Sequence, residues 1–156
     1  MISTLNLDHS RTDFQFSGNQ VTITQPVFSS SDCSDQFKIA EYVSTGTFAL
    51  GSDFVITSGE TVTKVDFKIT NAIVTPFDAD GVTLLENTYS CEGLEWIIDQ
   101  PQSILDCRIE NGWSSDIKTI IQVDEDLLRL AAGDAPLTED GYPTQLEAPE
   151  DGQQRQ

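Results

Sequence analysis

Hydrophobic and polar residues alternate along much of this chain, and the period is two. In "TVTKVDFKITNAIVTPF", residues 61–77, Val65, Phe67 and Ile69 alternate with Lys64, Asp66 and Lys68. That spacing predicts a strand with one apolar face and one wet face. The run is long enough for one bent strand or two strands joined near Asn71, and Pro76 closes it. A register slip of one residue would bury three charges, so the facing of the strand is firmly set.

The same period recurs on both sides. In "DFQFSGNQVTIT", Phe14 and Phe16 alternate with Asp13 and Gln15, and Val21 and Ile23 with Thr22 and Thr24. The "SGNQ" between them supplies a turn, with Gly18 free to take positive φ, so a hairpin is predicted. Pro26 is expected to end the second strand or to mark an edge. In "QFKIAEYVSTGTFALG", Phe37, Ile39 and Val43 fall on one side, and Gly46 is a candidate bend before Phe48 and Leu50. A turn is expected at "SGE", 58–60, and another at "DADG", 78–81. "VTLLENTYSCEGLEW" is the one stretch that suits a short helix, and a strand is expected around Leu105 to Ile109. "KTIIQV", a "DED" turn and "LLRLAAG" form a last hairpin. Beyond Gly133 the chain is polar and aperiodic.

These elements predict an all-β fold of about eight or nine short strands with one short helix. No helical pattern separates the strands, which removes a parallel α/β sheet. Sequential hairpins favour an antiparallel up-and-down barrel over a sandwich. The expected layout is a flexible lead-in over residues 1–11, one β-barrel domain over 12–147, and a disordered acidic tail over 148–156.

Charge changes the picture of partners. Eight basic against 26 acidic residues give a formal charge of -18. Nucleic acid binding needs clustered cations, so it is excluded, and an anionic membrane surface is disfavoured. No apolar run approaches the about 20 residues of a membrane span. The opening "MISTLNLDHSRTDF" does not read as a signal peptide, which leaves a cytoplasmic protein or one whose signal has been removed. The extracytoplasmic home is favoured. Oligomeric state is not legible.

Candidate chemistry is sparse. His9, the only histidine, lies in the lead-in, and a triad or a multi-histidine metal site is excluded by count. No Gly-rich phosphate loop is present, and no cofactor is implied. Cys33, Cys91 and Cys107 lack C-x-x-C spacing, so they are either one disulfide plus a thiol or three thiols. Cys91 and Cys107 bracket a loop that a disulfide could close. Seven aromatics remain: Phe14, Phe16, Tyr42, Phe48, Phe67, Trp96 and Trp113. With Val65 and Ile69 they either fill a core or line a ligand cavity, since a barrel of eight strands is just wide enough for side chains or one small ligand.

The order of "TGTFALG", "TVTKVDFKI" with "VTPF", "SCEGLEW", Cys107, "DEDLLRLAAGD" and "GYPTQLE" resembles the barrel domain of the secreted Wnt inhibitors named for down-regulation by adenomatosis polyposis coli. It is similar, more loosely, to lipocalin-like (calycin) barrels. The likeness covers residues 44–147. It implies a barrel that binds a lipid or fatty-acid-like molecule without catalysis. This chain departs from the family patterns at Cys91-Glu92-Gly93 and Tyr142-Pro143, and Phe48 stands where lipocalins carry Trp. Spacing and the resemblance together place Cys91–Cys107 first among disulfide pairings and Cys33–Cys91 second. The leading expectation is therefore non-enzymatic binding of a small hydrophobic ligand. A protein-interaction module with a filled barrel or sandwich is the alternative, and a small carboxylate-dependent hydrolase or isomerase the third.

Overall fold

Alternation in the sequence becomes one mostly antiparallel sheet. The computed structural model describes residues 9–124, 127–148 and 153–154. The strands are β1 (Asp13–Ser17), β2 (Gln20–Phe28), β3 (Lys38–Val55), β4 (Thr61–Pro76), β5 (Gln102–Ser103), β6 (Asp116–Asp124), β7 (Leu127–Leu130) and β8 (Gln153–Gln154). They lie in the order β1-β2-β3-β4-β6-β7-β8, with β5 added to β4. The fold is all-β, in the up-and-down, barrel-like order that the sequence predicts. Among the described residues two α-helices interrupt it, α1 (Ala79–Thr88) and α2 (Leu105–Glu110). Neither is long and apolar enough to cross a membrane.

The chain divides into two compact units. One combines Met1–Gly46 with Ile69–Ser114, and the other Thr47–Lys68 with Ser115–Gln156. β3 and β4 each contribute to both, and Gly46, expected as a bend, is where β3 passes from the first unit to the second.

In the first unit, β1 and β2 pair as predicted, Phe14 with Ile23 and Phe16 with Val21. Gly18 turns the hairpin with φ 61°. Pro26 does not end β2. It sits inside the strand beyond the last residue paired by β1, where its carbonyl accepts from Arg11 N–H at 3.4 Å. His9 to Arg11, assigned above to a flexible lead-in, run beside β2: Ser10 bridges Val27, and Phe28 N–H donates to the His9 carbonyl at 2.8 Å. On β3 the buried side is Ala40 and Tyr42, the opposite of the expected Phe37-Ile39-Val43 side. Val27, Ala72, Val74, Leu85 and Ile104 complete this core.

"DADG" is not a free turn but the start of α1. Asp78 is its N-cap, accepting from Gly81 N–H at 2.8 Å. Gly81 faces β3 so closely that a Cβ there would overlap the Ile39 carbonyl, and only glycine allows this approach. The expected strand around Leu105 to Ile109 is instead α2.

In the second unit, β4 pairs β6 with Val65 opposite Thr119 and Phe67 opposite Ile117. Val65, Phe67 and Ile69 are all buried, on the predicted face. Thr70 and Asn71 are both exposed, and beyond them the buried positions are Ala72, Val74 and Pro76. The strand is therefore single, but its buried side changes from odd to even positions beside Asn71, as an extra residue in a strand produces. The other face of β4 was expected to meet water. It is covered in part, because Val62 packs with Ile56, Ile120 and Tyr142. Tyr142 comes from the polar segment after Gly133. That segment is held along its length: Thr138 N–H donates to the Tyr142 carbonyl at 2.7 Å and Glu147 N–H to the Leu130 carbonyl at 2.9 Å. Of the tail expected to be disordered, Gln153 and Gln154 pair with Leu128 and Leu127, and residues 149–152 and 155–156 lie outside the described residues.

Candidate functional site

The first unit gathers an aromatic row over its core. Tyr42 projects from β3 onto the buried side. Tyr89 caps α1, its N–H donating to the Leu85 carbonyl as the chain leaves the helix. The ring centroids of Tyr42 and Tyr89 are 6.5 Å apart, and those of Tyr89 and Trp96 5.8 Å apart, both pairs tilted. Tyr89 and Trp96 are half-buried. The row thus runs from a buried phenol to two partly open rings.

A disulfide fastens this row. Cys91 and Cys107 are joined, with Cα atoms 5.7 Å apart, and Cys33 is free. The Asn111 side chain donates to the Cys107 carbonyl at 2.7 Å and lies 3.3 Å from Cys91 Sγ. Gly112, at φ 89°, then reverses the chain. Its N–H donates to the Ile109 carbonyl, and Trp113 N–H to the Arg108 carbonyl, a Schellman closure of α2. The closure returns Trp113 beneath Arg108, whose guanidinium carbon lies 4.3 Å from the ring centroid.

The electrostatics are one-sided. Burial pushes the Tyr42 phenol far above its ordinary pKa, and the neighbouring Tyr89 adds to the rise. Burial raises Tyr89 as well, while the charge of Arg108 opposes the rise at both hydroxyls. The Tyr42 hydroxyl is buried, and Tyr89, which acts on its pKa as a hydrogen-bonding neighbour, does not complete a hydrogen bond of good geometry with it. A buried hydroxyl left so costs about 1–3 kcal/mol.

A second polar constellation, in the second unit, is structural. Tyr142 Oη donates to Asp66 at 2.8 Å, and the ammonium groups of Lys64 and Lys118 lie 4.7 and 4.8 Å from its ring centroid. Lys64 also pairs with Asp140 at 2.6 Å. These groups satisfy one another and fasten the C-terminal segment to β4 and β6.

The nine residues expected to line a cavity separate accordingly. Tyr42 and Trp96 meet through Tyr89, whereas Trp113 packs against Arg108. Phe14 and Phe16 stack on each other at 6.2 Å on β1, with Phe16 39% exposed. Val65, Phe67 and Phe48 belong to the second unit, and Ile69 to the first. Tyr89 and Arg108 were missed. The available signals were an arginine beside a cysteine in a chain poor in cations, and the Gly112-Trp113 stop that makes α2 a helix. Comparison with models of known protein families finds no match, and comparison with curated proteins finds none.

Proposed function

We propose that this protein is a non-enzymatic binder of a small hydrophobic molecule, taken up against the Tyr42–Tyr89–Trp96 row. The observation that carries the reading is the buried, unpartnered Tyr42 hydroxyl behind two half-exposed rings. Small-molecule sites combine a mostly apolar lining with a few placed polar groups, and this row has that composition. Titration with Nile red tests it: saturable uptake, weakened by Trp96→Ala and untouched by Phe16→Ser, is the expected result. An absence of saturable uptake of any apolar probe would remove the reading.

A second reading, a protein-contact module, draws on Ile97 and Ile98, which follow Trp96 and are 41% and 45% exposed. It requires that Ile97→Ser with Ile98→Ser leave small-probe binding unchanged while abolishing association with a partner protein.

A further inference from the structure

Asn111 is the one asparagine of this chain that glycine follows. The pair matters chemically, because glycine has no side chain to shield its peptide nitrogen from the amide in front of it. The Gly112 nitrogen, once deprotonated, can attack Asn111 Cγ. Asn111 Nδ2 then leaves as ammonia, and a five-membered imide forms. Water opens the imide at either carbonyl, giving an aspartate or a chain rerouted through the side-chain carboxyl. One amide and one water become one carboxylate and one ammonium ion, with no redox change.

Asn111 and Gly112 are both exposed, so water and hydroxide reach them. Geometry holds the reaction back. Asn111 has φ -88° and ψ 14°, which turns the Gly112 nitrogen away from the Asn111 side chain. Closing the ring needs a large rotation about the Asn111 Cα–C bond. Both reacting groups are tied against that rotation. Asn111 Nδ2 donates to the Cys107 carbonyl at 2.7 Å, and Gly112 N–H donates to the Ile109 carbonyl at 3.0 Å.

These ties are only as firm as α2. The helix has six residues, too few to be stable alone, and its N-terminus has no side-chain cap. Leu105 packs partly against the core, but the one buried residue of α2 is Cys107, which the disulfide joins to Cys91. Asn111 Nδ2 also lies 3.3 Å from Cys91 Sγ, so the cap spans both half-cystines.

We infer that Asn111 is a deamidation site closed by the Cys91–Cys107 disulfide: reduction of that bond frees the Asn111–Gly112 cap and lets the imide form. The product does not restore the cap. A carboxylate only accepts, and at position 111 it would face the Cys107 carbonyl, another acceptor. A transient reduction is thereby converted into a permanent covalent change.

The test incubates the full chain at mildly alkaline pH with and without dithiothreitol, which cleaves the bond and is itself oxidised to its cyclic disulfide. Mass spectrometry follows the Asn111 peptide, while hydrogen exchange at Val65 and Phe67 reports on the β4–β6 pairing. Conversion at Asn111 is expected to run about tenfold or more faster in the reduced protein, within what loss of the loop closure allows, with the sheet still protected. The Cys91→Ser, Cys107→Ser variant should convert as fast without the reductant, which separates the bond from the reagent. Equal rates with and without the disulfide would overturn the inference. So would faster conversion accompanied by lost protection at Val65 and Phe67, because the disulfide would then guard the whole fold rather than this cap.

Discussion

The Tyr142 hydroxyl donates to Asp66 at 2.8 Å, joining a residue near the end of the described chain to the middle of β4. The ring beneath that hydroxyl is buried with Ile56, Val62 and Ile120. Two separable contributions follow. Tyr142→Phe keeps the packing and is expected to cost about 1 kcal/mol. Tyr142→Ala also empties the site and is expected to cost about 3 kcal/mol or more. Urea unfolding of both variants measures the difference.

Acid should loosen the same region. The Lys64 ammonium, and after it the Thr138 hydroxyl, hold the Asp140 carboxyl at a pKa of about 2, below its ordinary 3.8. A lowered carboxylate pKa means that the unfolded chain takes up the proton first as pH falls. The contribution is therefore complete above about 3.8 and lost as pH falls through about 2. Asp140→Asn should be less stable than the unaltered protein at neutral pH and should lose less stability across that acid window. Urea midpoints on either side of the window check both signs.

Gly81 and Gly133 offer a matched pair. A Cβ at Gly81 would meet the Ile39 carbonyl, whereas one at Gly133 would meet nothing within 4 Å. Gly81→Ala is expected to destabilise by about 3 kcal/mol, the upper part of the range for overpacking. Gly133→Ala should be close to neutral. Thermal unfolding followed by circular dichroism distinguishes them.

Removing the disulfide should act on the aromatic row. Cys91 and Cys107 are 16 residues apart, and closing a loop of this size contributes about 3 kcal/mol in the chain-entropy account. The Cys91→Ser, Cys107→Ser double variant is expected to lose that stability, and limited proteolysis should cut first between Tyr89 and Trp96. Unchanged cleavage with the bond absent would show that packing alone holds this segment.

The sequence was most informative where polar neighbours fixed the facing of a strand. Lys64, Asp66 and Lys68 leave Val65, Phe67 and Ile69 only one side to occupy, and that side is buried. Likewise Gly18 supplies the backbone conformation that the first hairpin requires. α2 was misread because Leu105, Cys107 and Ile109 alternate over a segment too short for period to separate strand from helix. Its Gly112 stop was the better signal. The C-terminal anchor was missed for another reason. Tyr142 and Leu146 are isolated apolar residues in a polar segment, and their burial depends on partners distant in sequence. Tyr42 was legible as an aromatic, but not as a hydroxyl without a partner, because that property belongs to three-dimensional packing alone.

The interleaving of the two units bears on how the chain can be made. A ribosome releases Thr47–Lys68 before Ile69–Ser114, and only afterwards the β6 residues that pair with Thr63 to Lys68. At synthesis rates on the order of 10 residues per second, that stretch of β4 waits several seconds without its β6 partner. During the interval its backbone is an unpaired edge, and Val65 and Phe67 lack the strand that flanks them in the finished sheet. The nascent protein is thus exposed to aggregation midway through translation, and pausing within the codons for residues 69–114 would lengthen the exposure.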